Sequence, residues 1–142
     1  MTKKIRQAFV LVPFISEKSR LITVEARLAG RSARFLIDTG AGRSILDSSA
    51  ASEFNLLVRS RSRVGYGAGS AAIAVGRIAK HDLRLGGVDL SKTKLRTIDL
   101  SHVNAGLLKA KVRPIVGVIG ADVLRSHKAV IDYGKSLLLL SE

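Results

Sequence analysis

Hydrophobic and polar residues alternate strictly between Leu21 and Leu28: Ile22, Val24, Ala26 and Leu28 fall on one face, Thr23, Glu25 and Arg27 on the other. A period of two is that of a half-buried β-strand. Ala29-Gly30-Arg31-Ser32 supplies turn chemistry, and Ala33 to Ile37 returns as the second arm of a hairpin. Its last three residues, Phe35-Leu36-Ile37, are apolar without alternation, and they run into Asp38-Thr39-Gly40-Ala41. Asp38 is therefore carried to the mouth of a core strand, where an ionised carboxylate needs hydrogen bonds or a function to offset its desolvation.

Downstream, Asp47 and Ser48 are placed to cap a short helix ending near Phe54, with Asn55 able to close it in the left-handed conformation. Leu57 to Val64 and Ala71 to Ile78 read as a second hairpin around Gly65-Tyr66-Gly67-Ala68-Gly69-Ser70. Gly86-Gly87 joins Asp82–Leu85 to an expected strand over Val88–Thr97. Ser101 to Arg113 predicts a loop with one helical turn and the least order in the chain, and Pro114 restarts an extended segment. The final third reads as a strand over Ile115–Gly120, a short helix over Ala121–Ser126, then a hairpin of Ala129–Asp132 and Leu137–Leu140 about Tyr133-Gly134-Lys135. Asp122, Arg125 and His127 complement the dipole of that helix.

The 142 residues fit one domain. Residues 1–20 are read as an N-terminal edge strand and lead-in, residues 21–142 as the domain proper. The apolar stretch Ala8–Ile15 is short and contains Pro13, which separates it from a signal peptide. No stretch approaches the ~18 apolar residues of a membrane span. The absence of cysteine removes disulfides and thiolate metal sites and makes the cytoplasm the expected compartment.

Charge brings in a rival reading. A net +13 would attract nucleic acid or acidic partners. Aromatic residues are only 4% of the chain, however, and its basic residues gather on no predicted helix, which counts against a nucleic-acid-binding module. Arg59, Arg61 and Arg63 alternate and are expected to share one solvated strand face. The glycine-rich stretch 65–69 lacks the Lys-Ser or Lys-Thr of a phosphate loop, and Ser70 stands where a dinucleotide fingerprint has its third glycine. His81, His102 and His127 have no ligand spacing, so no metal and no cofactor is expected.

An apolar strand ending in Asp-Thr-Gly-Ala, a glycine-rich hairpin, and Val116 to Tyr133 (VGVIGADVLRSHKAVIDY) follow one another as in retropepsins. Over Leu21 to Leu140 the chain resembles the retropepsin-like aspartic proteases, particularly the bacterial single-domain kind. The resemblance implies a mainly β fold, a closed barrel or acid-protease half-lobe with one or two short helices. It implies Asp38 as the catalytic carboxylate, Thr39 as a hydroxyl tying two catalytic loops together, and Gly40 as a close backbone approach. Ala41 and a flap of Gly65, Tyr66, Gly67, Ala68 and Gly69 would bind substrate, and Val118-Ile119-Gly120 would form an apolar rail under the loop. Gly42, Ala121 and the long 101–114 segment depart from the viral pattern.

Hydrolysis of an amide by general acid and base catalysis needs two groups, and the chain offers one such motif. Asp132, in Val130-Ile131-Asp132-Tyr133-Gly134, echoes it but leads into a tight turn. The economical expectation is a homodimer in which two copies of Asp38 meet across a two-fold axis, share a proton, activate water and cleave a peptide or protein substrate. The alternative is a catalytically silent dimer of the same fold that binds a peptide or an acidic partner.

Overall fold

The computed structural model describes residues 8–64 and 73–142. Strands β1 (Phe9–Pro13) and β2 (Ile15–Ser16) lead into β3 (Ile22–Leu28) and β4 (Arg31–Ile37). The β3–β4 hairpin is closed by two residues, Ala29 and Gly30, with φ of 51° and 72°. Paired positive φ values give a turn whose twist matches that of the strands. Then follow β5 (Ile45–Asp47), α1 (Ser48–Glu53), β6 (Val58–Val64), β7 (Ile73–Ile78), β8 (Arg84–Leu85), β9 (Val88–Asp89), β10 (Arg96–Ile98), α2 (Ser101–Lys109), β11 (Gly117–Ile119), α3 (Ala121–Ser126), β12 (Val130–Asp132) and β13 (Leu137–Ser141).

The larger sheet runs β6-β7-β10-β5-β11-β4-β3-β8-β9, with β2 also on β3, and curls into a half-barrel. The smaller sheet is β1-β13-β12, with β1 at one edge. This is the mainly β half-lobe that the sequence implied.

The unalternating apolar end of β4, Phe35-Leu36-Ile37, has a physical reason. Phe35 and Ile37 join the main core with Leu28, Leu46, Leu85 and Leu138, whereas Leu36 belongs to a second cluster with Leu100, Leu107, Val112, Ile115 and Val118. A strand covered on both faces has no solvent side to keep polar. Each such large side chain, fully buried, contributes on the order of 1.5–3 kcal/mol. Arg34 is also buried; its guanidinium pairs with Glu25 at 2.8 Å and stands 3.7 Å from Glu17.

Three expectations change. Residues 101–109 form a nine-residue helix rather than a loop with one turn, so the described residues hold three short helices. Leu100 and Leu107 cover the outer face of β4 and β11, and the Asn104 amide donates to the Ile115 carbonyl (3.0 Å) and accepts from its N–H (2.9 Å). Tertiary burial and a side-chain clamp thus order a segment whose own pattern is weak. The expected strand over Val88–Thr97 splits into β9 and β10, because Leu90 and Thr93 close an intervening turn. Asp47 occupies the N-cap position of α1 without capping it; its carboxylate accepts from the Leu100 N–H at 3.0 Å and the Ser49 hydroxyl at 2.9 Å. In β6 the register against β7 shifts between Arg59 and Ser62. Among the described residues no helix is long and apolar enough to cross a membrane.

Candidate active site

Asp38 follows directly on β4, which is paired on one side with β3 and on the other, in parallel, with β11. β11 also pairs antiparallel with β5, so it lies between two strands that are neighbours in sequence. The loop 38–44 leaves one side of β11 and returns on the other. Ile119 lies beside Ile37, and its carbonyl accepts from the Asp38 N–H at 3.0 Å. The 118–120 stretch thus runs beneath the loop.

Within the loop, the Asp38 Oδ1 accepts from the Gly40 N–H at 2.9 Å, and the Ala41 N–H donates to the Asp38 carbonyl at 3.2 Å. Asp38 and Ala41 are half-buried, Thr39 and Gly40 exposed. A Cβ on residue 40 would stand 3.2 Å from the Asp38 Oδ1, crowding that carboxylate. The close backbone approach lies elsewhere: a Cβ on Gly120 would come within 2.6 Å of the Ala41 carbonyl oxygen and 2.9 Å of Arg43. No real side chain tolerates such contacts without backbone movement. The Ala121 N–H completes the junction by donating to the Ala41 carbonyl at 2.7 Å.

A polar lock holds the far end of the loop. The Ser44 hydroxyl, fully buried, donates to the Asp122 Oδ1 at 2.7 Å and accepts from the Gly120 N–H at 2.9 Å, while the Ser44 N–H donates to the Asp122 Oδ2 at 3.0 Å. The Val123 N–H adds a third bond to Asp122 at 2.9 Å. Charge-assisted bonds of this kind are about twice as strong as neutral ones. Reading Asp122 as a helix-end charge missed this role. Its partner is 78 positions away, and no local signal marks the pair.

A cavity of about 180 Å3 opens beside Asp38 and Thr39, with Arg20, Leu21, Ile131 and Tyr133 on its walls. Tyr133 is 67% exposed there, and its ring meets Phe14 edge-on at 5.8 Å. A second cavity, about 330 Å3, reaches Thr39 from the α3 side, past Leu124, Arg125 and Lys128. The carboxylate thus sits on a rigid base and faces open space. Gly65, Tyr66, Gly67, Ala68 and Gly69 lie outside the described residues; their hairpin arms β6 and β7 pair from Val58–Ile78 to Val64–Ile73. Among the described residues no group of three or more His, Asp and Glu side chains is placed to hold a metal ion.

The profile of the aspartyl protease family matches residues 24–123, from β3 through the lock to α3. The chain belongs to the aspartyl protease family. Its fold is similar to that of the retroviral protease-like domain of Ddi1 from Leishmania major, with 22% identity, a TM-score of 0.60, and coverage of 84% of this chain and 87% of that one. It is equally similar to a retropepsin-like aspartic protease from Rickettsia conorii, with 15% identity, a TM-score of 0.59, and coverage of 94% and 89%. No match to a curated protein was found by sequence. In this family frame, Asp38-Thr39-Gly40 occupies the loop that the half-barrel builds around β11.

Proposed function

We propose that the protein is an aspartic endopeptidase whose site forms when two copies place their Asp38 carboxylates together across a two-fold axis. The observation that carries this reading is the setting of Asp38: a half-buried carboxylate on a loop braced by Gly120, Ala121 and the Ser44–Asp122 lock, with open space in front of it. Preorganisation of this kind suits a group that must act in one geometry. One carboxylate of the pair takes a proton from water, and its protonated partner donates to the scissile carbonyl. Thr39, exposed at the same loop, is the hydroxyl that would tie the two loops together, and Ala41 would line the cleft. Residues 65–69 would close over a peptide held in extended form.

The isosteric change Asp38→Asn removes the base while keeping the side chain's shape. It should leave a folded protein whose kcat/KM on a peptide library falls by roughly 10²–10⁴, the usual worth of general acid–base catalysis. Unchanged turnover would sink the assignment. Sharing of the site has its own check. Specific activity should fall on dilution through the dimer dissociation constant, since only the associated form holds both carboxylates. Activity proportional to concentration, with a monomeric sedimentation mass throughout, would exclude the shared dyad.

A further inference from the structure

A cavity of about 400 Å3 lies behind the loop 38–44, between the β9–β10 connection and α3, and the proposed reaction makes no use of it. Its charged lining consists of Arg43, Lys92, Lys94 and His127 together with Asp89 and Asp122. Formally the three Arg and Lys charges exceed the two carboxylates by one.

The two signs are not equally available to a ligand. Asp122 spends both oxygens on Ser44 and Val123. Asp89 accepts from the Ser91 N–H at 2.8 Å, and that amide, with the Ser91 hydroxyl, holds its carboxyl below the usual carboxylate range. Among the described residues, by contrast, none of the ion pairs involves Arg43, Lys92 or Lys94. His127 donates its Nδ1–H to the Ser141 carbonyl at 2.8 Å, which fixes the ring. The acids are turned toward protein donors, and the cations are left with donors to spare. Leu90 and Val123 supply apolar wall.

We infer that this cavity binds a small anion carrying a phosphoryl group, either free phosphate or a phosphorylated metabolite. A dianion matches a guanidinium and two ammonium groups better than a single carboxylate does, and Arg43 offers the planar fork suited to phosphate oxygens. The volume falls within the range of small-molecule sites, and the net +13 of the chain raises the local anion concentration. Arg43 directly precedes Ser44, so a bound anion would brace the same loop that carries Asp38. Binding itself requires no peptidase activity.

The test is calorimetric titration of the intact protein at constant ionic strength, with inorganic phosphate in one arm and adenosine monophosphate in the other. Saturable binding of one anion per chain, with a Kd below about 1 mM, is expected in at least one arm. Tighter binding of the nucleotide would identify an organic phosphate as the occupant; tighter binding of inorganic phosphate would identify the free ion. Arg43→Gln and the exposed Lys94→Gln should each weaken binding roughly 10-fold by removing a charge-assisted contact. Lys109→Gln, on α2 away from the cavity, should change it less than about 2-fold. In amide NMR spectra, shifts on adding phosphate should centre on residues 43–44, 89–94 and 122–127. No saturation in either arm, equal weakening by Lys94→Gln and Lys109→Gln, or shifts scattered over the surface would overturn the site and leave only the field of a basic protein.

Discussion

Two strands of this protein end in the same way, Leu36-Ile37-Asp38 and Val130-Ile131-Asp132, and each is followed two residues later by glycine. Their surroundings separate them. The strand before Asp38 is paired on both sides, and its loop is held by Gly120, Ala121 and the Ser44–Asp122 lock. The strand before Asp132 lies at the edge of the three-stranded sheet, and its carboxylate accepts from the Lys135 N–H at 2.9 Å, closing the β12–β13 turn. Both carboxylates accept a bond within their own turn, Asp38 from the Gly40 N–H and Asp132 from the Lys135 N–H, but only the loop of Asp38 is also held from behind by distant elements. The difference lies in what the rest of the chain brings to each, not in the local residues.

The widest gap between the two should appear in catalysis. Where Asp38→Asn costs orders of magnitude in kcat/KM, Asp132→Ala should leave turnover within about 2-fold and cost about 1 kcal/mol of stability for the lost turn bond. Comparable losses of turnover from both would erase the distinction. The glycines extend the same contrast. Gly120→Ala drives a Cβ into the Ala41 carbonyl and should destabilise by about 3 kcal/mol, lowering Tm on the order of 10 °C. Gly134→Ala meets only the Asp132 Oδ1 at 3.4 Å and should shift Tm by about 2 °C or less. Equal melting temperatures would mean that the loop is not pinned by close approach.

A finer cut comes from the lock. Ser44→Ala leaves the Gly120 N–H without a partner in a buried setting and removes one of the three bonds to Asp122, so a loss of about 1–3 kcal/mol in denaturant unfolding is expected. Activity should fall further than that loss of folded protein explains, because the loop is loosened. Ser49→Ala removes only a hydroxyl bond to Asp47 and should not affect turnover.

The smallest effect concerns the Asp turn itself. Asp99 accepts from the Ser101 N–H at 2.8 Å, the same two-residue bond that Asp38 makes with Gly40. The Ser101 amide, then its hydroxyl, hold the exposed Asp99 carboxyl below its ordinary value. A lowered folded-state pKa favours the folded protein at pH above the unfolded value, and that contribution is lost as pH falls through the lowered one. Carbon-detected NMR should therefore show Asp99 titrating below 3.8, and Asp99→Asn should slightly flatten the acid limb of the stability curve. Titration at or above that value would show that the turn bond does not form in solution.

What was legible in the sequence was local. The alternation of Leu21–Leu28 and the pairs Ala29-Gly30 and Gly86-Gly87 specify hairpins through backbone rules alone, and both appear with positive φ at their turn residues. Asp38-Thr39-Gly40 was conspicuous because polar residues interrupt an apolar strand. The support behind it was hidden, since Ser44 and Asp122 lie far apart in the chain and each has an ordinary local reading, as turn hydroxyl and helix-end acid. The helix over 101–109 was hidden for a related reason: Gly106 and the exposed Val103 and Leu108 blur its amphipathic stripe, and its order comes from Asn104 and the second core cluster.

The placement of β11 also bears on the order in which the molecule can be made. β5 ends at residue 47 and β11 begins at residue 117, so the gap that β11 fills stays open while the intervening sixty-nine positions emerge. A hairpin such as β3–β4 can close as soon as it is synthesised, but inserting a central strand from far along the chain carries the loop-closure cost of a long separation. The Gly120 contact and the Asp122 lock arrive with that strand. During synthesis on the ribosome, the Asp38 loop therefore acquires its support only when the final third of the chain has left the tunnel.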